Sequence, residues 1–351
     1  MKAAHTRRVT PQAPIVVDEI TLDGRQIRVQ NVELPLNDVK LDPRNPRIAN
    51  TVATSLDEED PALQKKLEDL LWSDDDVREL YRQVQINKGL IERVIVRHDG
   101  TVAEGNCRTV VYRRLKEKHP KDAMWKTIPA RVLPADIGDR GIAILLGEMH
   151  VAGKNSWSPF EKAGHIYRMH KEYSLAQDEI ATRLRMSKSR VNQLIRAFDA
   201  MKTKYLRKYP GPSGIRKFSY FEELYKKPDL RDWLESTPGA EDLFVEWVGK
   251  NKISQGVHVR DLPAIVANEE AMKALSDEGF EAAQRILSED NPALTSKLFK
   301  SMVEMTEGLR KAQLDDIQRV RKGGRSTGRR IVLDLSESLD HFMELCGVER
   351  G

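Results

Sequence analysis

Between residues 177 and 196, apolar residues recur at helical spacing in two short sets with a brief polar interval between them. The sets are Ile180, Ala181 and Leu184, then Val191, Leu194 and Ile195. Each set lies on one face of a helix. The Arg185-Met186 connection is as short as the turn of a helix-turn-helix, and Ala181 is small where the two helices must approach closely. The pattern therefore predicts two short helices packed against each other.

Polar residues mark where these two helices should begin and turn. The spacing of Ser174 and Gln177 is that of a capping box, and Ser187 is placed to cap the second helix. Arg185 stands where glycine is common, so we expect it to adopt a left-handed backbone conformation at some cost.

The charge of this region distinguishes a DNA-binding unit from an ordinary pair of core helices. Residues 174–208 contain nine Lys or Arg and three Asp or Glu, a net charge of +6, whereas the whole chain carries only +4. A local basic surplus on such a helix pair favours contact with DNA phosphates. Residues near the start of the second helix face the groove in this motif. The predicted DNA-contacting residues are Gln177, Ser187, Lys188, Ser189, Arg190 and Gln193.

The rest of the chain predicts an α+β protein with a mixed α/β N-terminal domain and a mainly helical domain after it. Residues 15–50 are predicted to form short strands and loops, and helices are expected at about 61–71, 74–86, 109–118 and 138–149. Strands are predicted at 90–96, 101–103, 128–133 and 331–335, and a short helix after Ser336.

Bulk features restrict the protein class. No apolar run approaches the ~20 residues of a membrane helix. The N-terminus lacks the apolar core of a secretory signal. Cys107 and Cys346 form neither a disulfide framework nor a zinc pattern, and the histidines are scattered, so a metal site is not expected. We expect a protein of the reducing cytoplasm.

Several short motifs occur in the order typical of the ParB partition family, which this sequence resembles over most of its length. They correspond to the family's Asn-Pro-Arg, glycine strand, Gly-Glu-Arg-Arg, Leu-x-Pro-x-Glu and Lys-(Leu/Ile)-Ser-x-Gly-His segments. Here they are Asn45-Pro46-Arg47, Gly89 to Val96, Gly105-Asn106-Cys107-Arg108, Trp157 to Glu161 and Lys252 to His258. No single motif is specific for this family, but the order and spacing of the motifs together are specific for it.

The resemblance implies a homodimeric clamp on double-stranded DNA that binds CTP with magnesium, associates with the nucleoid and serves plasmid, phage or chromosome partition with a partner ATPase. The residues that it assigns to the nucleotide are Gly89, Gly105, Asn106, Arg108 and Lys154. His150 and Val151 stand where the family has glutamate and asparagine, so hydrolysis is expected to be weak at most.

The sequence divides into five predicted segments. They are a flexible basic arm (1–30), a nucleotide-binding domain (31–156), a helical DNA-binding domain (157–320) with the helix-turn-helix at 177–196, a basic linker (321–330) and a dimerisation segment (331–351).

Two other functions remain open from the sequence. The first is a transcription regulator of a mobile element that has lost nucleotide binding. The second is an enzyme related to sulfiredoxin-like or ParB-like proteins, because a helix N-terminus and Arg108 would lower the pKa of the Cys107 thiol. Against the enzyme, Asn106 separates Gly105 from Cys107, so the sulfiredoxin motif is shifted by one residue, and Cys107 is expected to be a small apolar filler.

Overall fold

The computed structural model describes residues 16–22, 24–48, 61–153, 157–290, 296–322 and 327–348. The chain divides into two compact units, residues 1–263 and 264–351. No described helix is long and apolar enough to cross a membrane.

The first unit begins with a mixed sheet. Its described strands are β1 (Val16–Leu22), β2 (Arg25–Pro35), β3 (Lys40–Leu41), β4 (Val94–Val96), β5 (Thr101–Glu104) and β6 (Thr127–Val132). Their order across the sheet is β1-β2-β6-β4-β5-β3. The β6–β4 and β5–β3 pairs are parallel, and the other neighbours are antiparallel. The predicted mixed α/β class is confirmed.

Two predictions about these strands are wrong. The flexible arm was predicted to extend to residue 30, but β1 and β2, in the stretch where short strands were predicted, form a hairpin through Gly24, and Val29 on β2 is fully buried. The part of the arm before residue 16 lies outside the described residues. The strand predicted at 90–96 is only β4, because the carbonyls of Glu92 and Arg93 accept hydrogen bonds from the Arg108 side chain and not from a neighbouring strand.

Four helices accompany the sheet, close to their predicted bounds: α1 (Pro61–Trp72), α2 (Asp75–Asn87), α3 (Asn106–Lys118) and α4 (Asp139–His150). Apolar residues of α1, α2 and α3 form one buried cluster with the inner strands, in which Leu67, Val94 and Leu115 are fully buried. Near this core, the Asn106 side chain accepts a hydrogen bond from the Asp42 amide (2.9 Å) and donates one to the Val102 carbonyl (3.2 Å). It therefore ties the turn after β3 to β5 and α3.

The remainder of the first unit is helical, as predicted. Its helices are α5 (Pro159–Lys171), α6 (Gln177–Leu184), α7 (Lys188–Ala200), α8 (Leu206–Lys208), α9 (Pro212–Ile215), α10 (Phe218–Lys226), α11 (Pro228–Ser236) and α12 (Ala240–Gly249). A π-helical turn, Met201–Tyr205, connects α7 to α8. Ser158 and Glu161 form a capping box at the start of α5.

Helix α13 (Leu262–Val266) lies at the boundary of the two units, and the second unit contains the last helices. They are α14 (Glu269–Asp277), α15 (Phe280–Asp290), α16 (Lys297–Arg310), α17 (Leu314–Lys322) and α18 (Thr327–Cys346).

The strand predicted at 331–335 is wrong, because these residues belong to α18. Leu335, Leu339, Phe342 and Met343 are its partly buried residues and recur with a helical period, whereas Ile331, Val332 and Leu333 are exposed. The basic linker predicted at 321–330 is helical at both ends, 321–322 and 327–330, and its middle lies outside the described residues.

Helices α5 and α7 approach closely at Gly164. A Cβ atom at this position would lie 2.7 Å from the Phe198 ring, closer than atoms can pack. We expect Gly164→Ala to lower the free energy of unfolding by about 1–3 kcal/mol through overpacking. Gly308→Ala is the matched control, because a Cβ at Gly308 in α16 meets nothing within 4 Å and alanine favours a helix. Chemical denaturation of both variants tests this. Equal effects would contradict the close contact.

Candidate functional site

The α6–α7 pair forms the compact arrangement that its two apolar sets predicted. The six residues of these sets are all buried, with Ile180 and Val191 fully so. Arg185 ends α6 in the left-handed conformation (φ 54°), as expected, and the Ser187 side chain caps α7 by accepting a hydrogen bond from the Arg190 amide (3.1 Å). The sequence therefore predicted correctly which faces of the two helices are buried.

The start of α6 differs from its prediction. Ser174 has φ 55° and does not cap the helix, whose N-cap is Ala176. The end of α5 holds this turn, since the amide of buried Leu175 donates to the Met169 carbonyl (2.9 Å) and its carbonyl contacts the His170 ring (2.9 Å). Gln177 thus becomes the first residue of α6.

None of the predicted DNA-contacting residues is buried in the helix pair. Ser187, Lys188 and Ser189 are exposed, and Gln177, Arg190 and Gln193 are partly exposed. The Gln193 amide lies 3.4 Å from the Ser189 hydroxyl, one turn away on the same face of α7. All six predicted residues are therefore at least partly accessible to solvent, and two of them, Ser189 and Gln193, share one face of α7.

Acidic residues, most of them distant in the sequence, neutralise the cations of α7. Lys188 pairs with Asp178 (2.8 Å), Arg190 with Glu222 of α10, and Arg196 with Glu235 of α11 (3.0 Å). Counting charges along 174–208 missed Glu222 and Glu235, because α10 and α11 lie outside that window. The net charge of +6 therefore overstates the positive potential at α7.

A cleft of about 450 Å³ is the second candidate site. It contains Gly89, Gly105, Asn106 and Arg108, four of the five residues predicted to bind nucleotide, together with Arg47 of the Asn-Pro-Arg motif. The fifth, Lys154, lies outside the described residues. Glu92, Glu104, Cys107, His150 and Trp157 also line this cleft.

Gly105 shapes the floor of this cleft at the start of α3. Its φ is +101°, and a Cβ atom would lie 2.6 Å from Val94 Cγ1 and 3.2 Å from Arg108 Nε. No described side chain caps α3. Because the first amides of a helix attract anions and glycine leaves room for close approach, this turn suits a phosphate group. The Asn106 side chain is committed to Asp42 and Val102, so only its backbone amide can contribute.

Two arginines of the cleft are already paired. Arg47 Nη1 lies 2.8 Å from the Asp74 carboxylate, and its Nε lies 3.9 Å from Glu161. Arg108 contacts the Glu104 carboxylate and donates to the carbonyl of Glu92 (2.8 Å). The sequence prediction overlooked Glu104, which lies four residues before Arg108 but on β5 and not on the helix, so the helical spacing rule for ion pairs does not apply to it.

His150 and Trp157 close one end of the cleft by stacking, with ring centroids 4.3 Å apart. Burial, with the charges of Arg108, Arg47 and Lys162, lowers the pKa of His150 to about 4. The ring is therefore neutral at pH 7, and its Nδ1 finds no hydrogen-bond partner among the described residues. Residue 150 therefore supplies a neutral nitrogen at the position where the resemblance led us to expect a carboxylate.

Cys107 does not have the environment of a reactive thiol. Burial raises its pKa to about 11, and the nearby Arg47 charge only partly offsets this effect. A thiol that stays protonated at neutral pH is a poor nucleophile. The geometry thus argues against the thiol enzyme that the sequence left open.

Comparisons with known proteins give structural neighbours alone. No protein-family model matches the sequence, and no curated protein does. One similar solved structure is the C-terminally truncated chromosome-partitioning protein ParB from Caulobacter crescentus complexed to the centromeric parS site, 14% identical, with a TM-score of 0.33 over 66% of this chain and 98% of that chain. Another is the same truncated protein complexed with CTP-gamma-S, 15% identical, with a TM-score of 0.22 over 58% of this chain and 97% of that chain. Both are structures of the family that the motif order resembles.

Buried histidines predict how stability depends on pH. Burial and the Arg168 charge lower the pKa of His165 to about 3, while its Nε2 lies 2.8 Å from the Ala143 carbonyl. Below the unfolded-state pKa of 6.5, the unfolded chain binds protons that folded His165 and His150 do not. Stability therefore falls as pH drops from about 7 to about 5, by up to ~1.4 kcal/mol per pH unit for each histidine.

Denaturation midpoints measured across this range test the prediction. His165→Gln keeps a donor for Ala143 and removes one titrating group, so we expect a flatter dependence. The exposed His98 provides the control His98→Gln, which should keep the wild-type slope. An unchanged slope in His165→Gln would contradict the assignment.

Proposed function

We propose that this protein is a ParB-like, sequence-specific binder of double-stranded DNA that serves the partition of a replicon. In this proposal α6 and α7 act as a helix-turn-helix, and the N-terminal cleft takes a nucleoside triphosphate, with CTP preferred by family resemblance. The observation that carries the proposal is the two-sided character of α7. Val191 and Leu194 anchor one side in the core, while Lys188, Ser189 and Gln193 present polar groups to solvent on the other.

This arrangement suits contact with base edges. The N-terminal residues of a recognition helix reach the floor of the major groove, where an amide such as that of Gln193 can pair with adenine and Arg190 with guanine. Exchanging the exposed Lys188–Asp178 pair for a phosphate contact costs little, since such pairs contribute at most about 1 kcal/mol. Arg190 must leave Glu222 to reach DNA.

Substitutions at this surface should weaken specific binding. We expect Arg190→Ala and Gln193→Ala each to cost about 1–3 kcal/mol on the preferred duplex and to relax specificity. Arg82→Ala is the control, because Arg82 is an exposed, ion-paired arginine on α2 and its loss changes the net charge equally. Gel-shift titrations on the preferred and a scrambled duplex measure both effects. Unchanged affinity and specificity in Arg190→Ala and Gln193→Ala would remove this surface from the interface.

The cleft supports the nucleotide part of the proposal. The α3 N-terminus and Gly105 offer backbone amides to a phosphate, and Arg47 and Arg108 add charge-assisted donors. Within the described ranges, no three His, Cys, Asp or Glu side chains are grouped to hold a metal ion, and Glu104 is engaged by Arg108. The cleft therefore fits a triphosphate better than it fits magnesium, and we expect hydrolysis to be slow or absent.

Calorimetry with CTP, ATP and GTP tests this cleft, with and without specific DNA. We expect weak CTP binding, and loss of that binding in Gly105→Val, whose side chain would fill the space beside Val94 and Arg108. Circular dichroism checks that the variant folds. If none of the three nucleotides produces heat, even with DNA present, the protein is instead a transcription regulator without nucleotide function. The neutral His150 and the Glu104–Arg108 pair favour that alternative.

The second unit supports a homodimer. Its helices expose apolar residues that a monomer leaves in water: Leu298, Phe299, Val303, Met305 and Leu309 of α16, and Ile331, Val332, Leu333 and Leu345 of α18. Covering such a surface with a second copy stabilises both copies and matches a two-fold DNA site. The dimer contact then involves α16 as well as the predicted segment 331–351.

Sedimentation at micromolar concentration tests the dimer. We expect the full chain to run as a dimer and Val303→Glu to run as a monomer, because a charge in the interface is not paired. Val17→Glu is the control, since Val17 in β1 is 59% exposed and Val303 is 60% exposed. A monomeric wild type contradicts the dimer, and a dimeric Val303→Glu places the contact elsewhere.

A further inference from the structure

Glu104 occupies an unusual position for a cleft that is proposed to bind an anion. It is the last residue of β5, its side chain is only 12% exposed, and its carboxylate contacts Arg108. The Arg108 side chain is 14% exposed, so the two charges face each other largely out of water. The Glu104 carboxylate therefore occupies Arg108, the arginine that lies beside the proposed phosphate position at the start of α3.

Apart from Glu104, the hydrogen-bond acceptors of the Arg108 guanidinium are backbone carbonyls. Nη1 donates to the carbonyls of Glu92 (2.8 Å) and Arg93 (3.3 Å), and Nη2 donates to Glu104. Its Nε lies 3.2 Å from the position of a Cβ at Gly105, over the first turn of α3. A phosphate at that turn would approach the same guanidinium that Glu104 neutralises.

We propose that Glu104 is an internal competitor of the ligand's phosphate for Arg108 and thereby sets the affinity of the cleft for anionic ligands. This inference rests on the proposed nucleotide function. In the free protein the carboxylate keeps Arg108 in place and compensates its charge. When a phosphate binds, Arg108 exchanges one anion for another, and part of the binding free energy is spent on leaving Glu104 without its cation.

Two surrounding features fit this exchange. Burial raises the pKa of Glu104, an effect that the Arg108 charge only partly offsets, so this carboxylate accepts a proton more readily than an exposed glutamate once Arg108 turns away. His150 Nε2 lies 3.6 Å from the second carboxylate oxygen of Glu104. It provides a nearby polar group for this carboxylate after Arg108 has turned away.

Removing the charge of Glu104 while keeping its shape tests the proposal. Glu104→Gln retains an acceptor for Arg108, so the fold should persist, and we expect CTP to bind about ten-fold tighter by calorimetry. Glu92→Gln is the matched control. Its carboxylate lies 3.7 Å from Arg108 but is 70% exposed, so water already screens it and the gain should be about two-fold or less.

The outcomes separate the two claims. Tighter binding by Glu104→Gln than by Glu92→Gln supports the competitor role, including the case in which only Glu104→Gln binds measurably. Wild-type binding that Glu104→Gln leaves unchanged or weakens overturns it and keeps the nucleotide site. An equal gain in CTP affinity in Glu104→Gln and Glu92→Gln also overturns it, because the loss of any negative charge near the cleft then explains the result. If neither wild type nor Glu104→Gln binds CTP, the nucleotide site itself fails and the competitor role with it.

Discussion

The packing of α5 determines where both candidate sites stand in the first unit. Its beginning, with the Ser158–Glu161 capping box, faces Arg47 of the cleft. Its middle packs against α7, where Gly164 has no side chain and so leaves room for the Phe198 ring. Its end accepts a backbone hydrogen bond from the turn that leads into α6. One helix of about four turns thus supports the surface proposed for DNA and borders the cleft proposed for nucleotide.

Periodicity was sufficient to predict the packing of the α6–α7 pair, because burial of an amphipathic face is a local property of the sequence. It did not predict the electrostatics of α7. Glu222 is 32 residues from Arg190, and Glu235 is 39 residues from Arg196, so their pairing depends on how α10 and α11 fold back. Which side chains touch DNA stays a prediction, since the fold shows their exposure and not their partner.

The family resemblance named Gly89, Gly105, Asn106 and Arg108, and the structure places these four residues in one cleft. Gly105 has a positive φ and lacks room for a Cβ, constraints that tie a residue type to a backbone shape. Glu104 was missed because a charged residue at the end of a strand is normally solvated, and it joins the site only because the turn between β5 and α3 brings its carboxylate to Arg108. In the last segment the type of element was predicted wrongly. The apolar run from Ile331 was interpreted as a strand, yet these residues are helical, and the helical spacing of Leu335, Leu339 and Phe342 prevails in α18.

In the proposed function, α7 recognises a specific DNA sequence. Selection of bound duplexes from a randomised double-stranded DNA pool tests it most directly, with wild type and a Lys188→Ala/Gln193→Ala variant carried through the same rounds at physiological salt. Wild type should enrich one recurring sequence, with two related half-sites if the protein is a dimer, and the variant should lose or change that preference. A wild-type pool that stays random, or a variant that enriches the same sequence equally well, would contradict it.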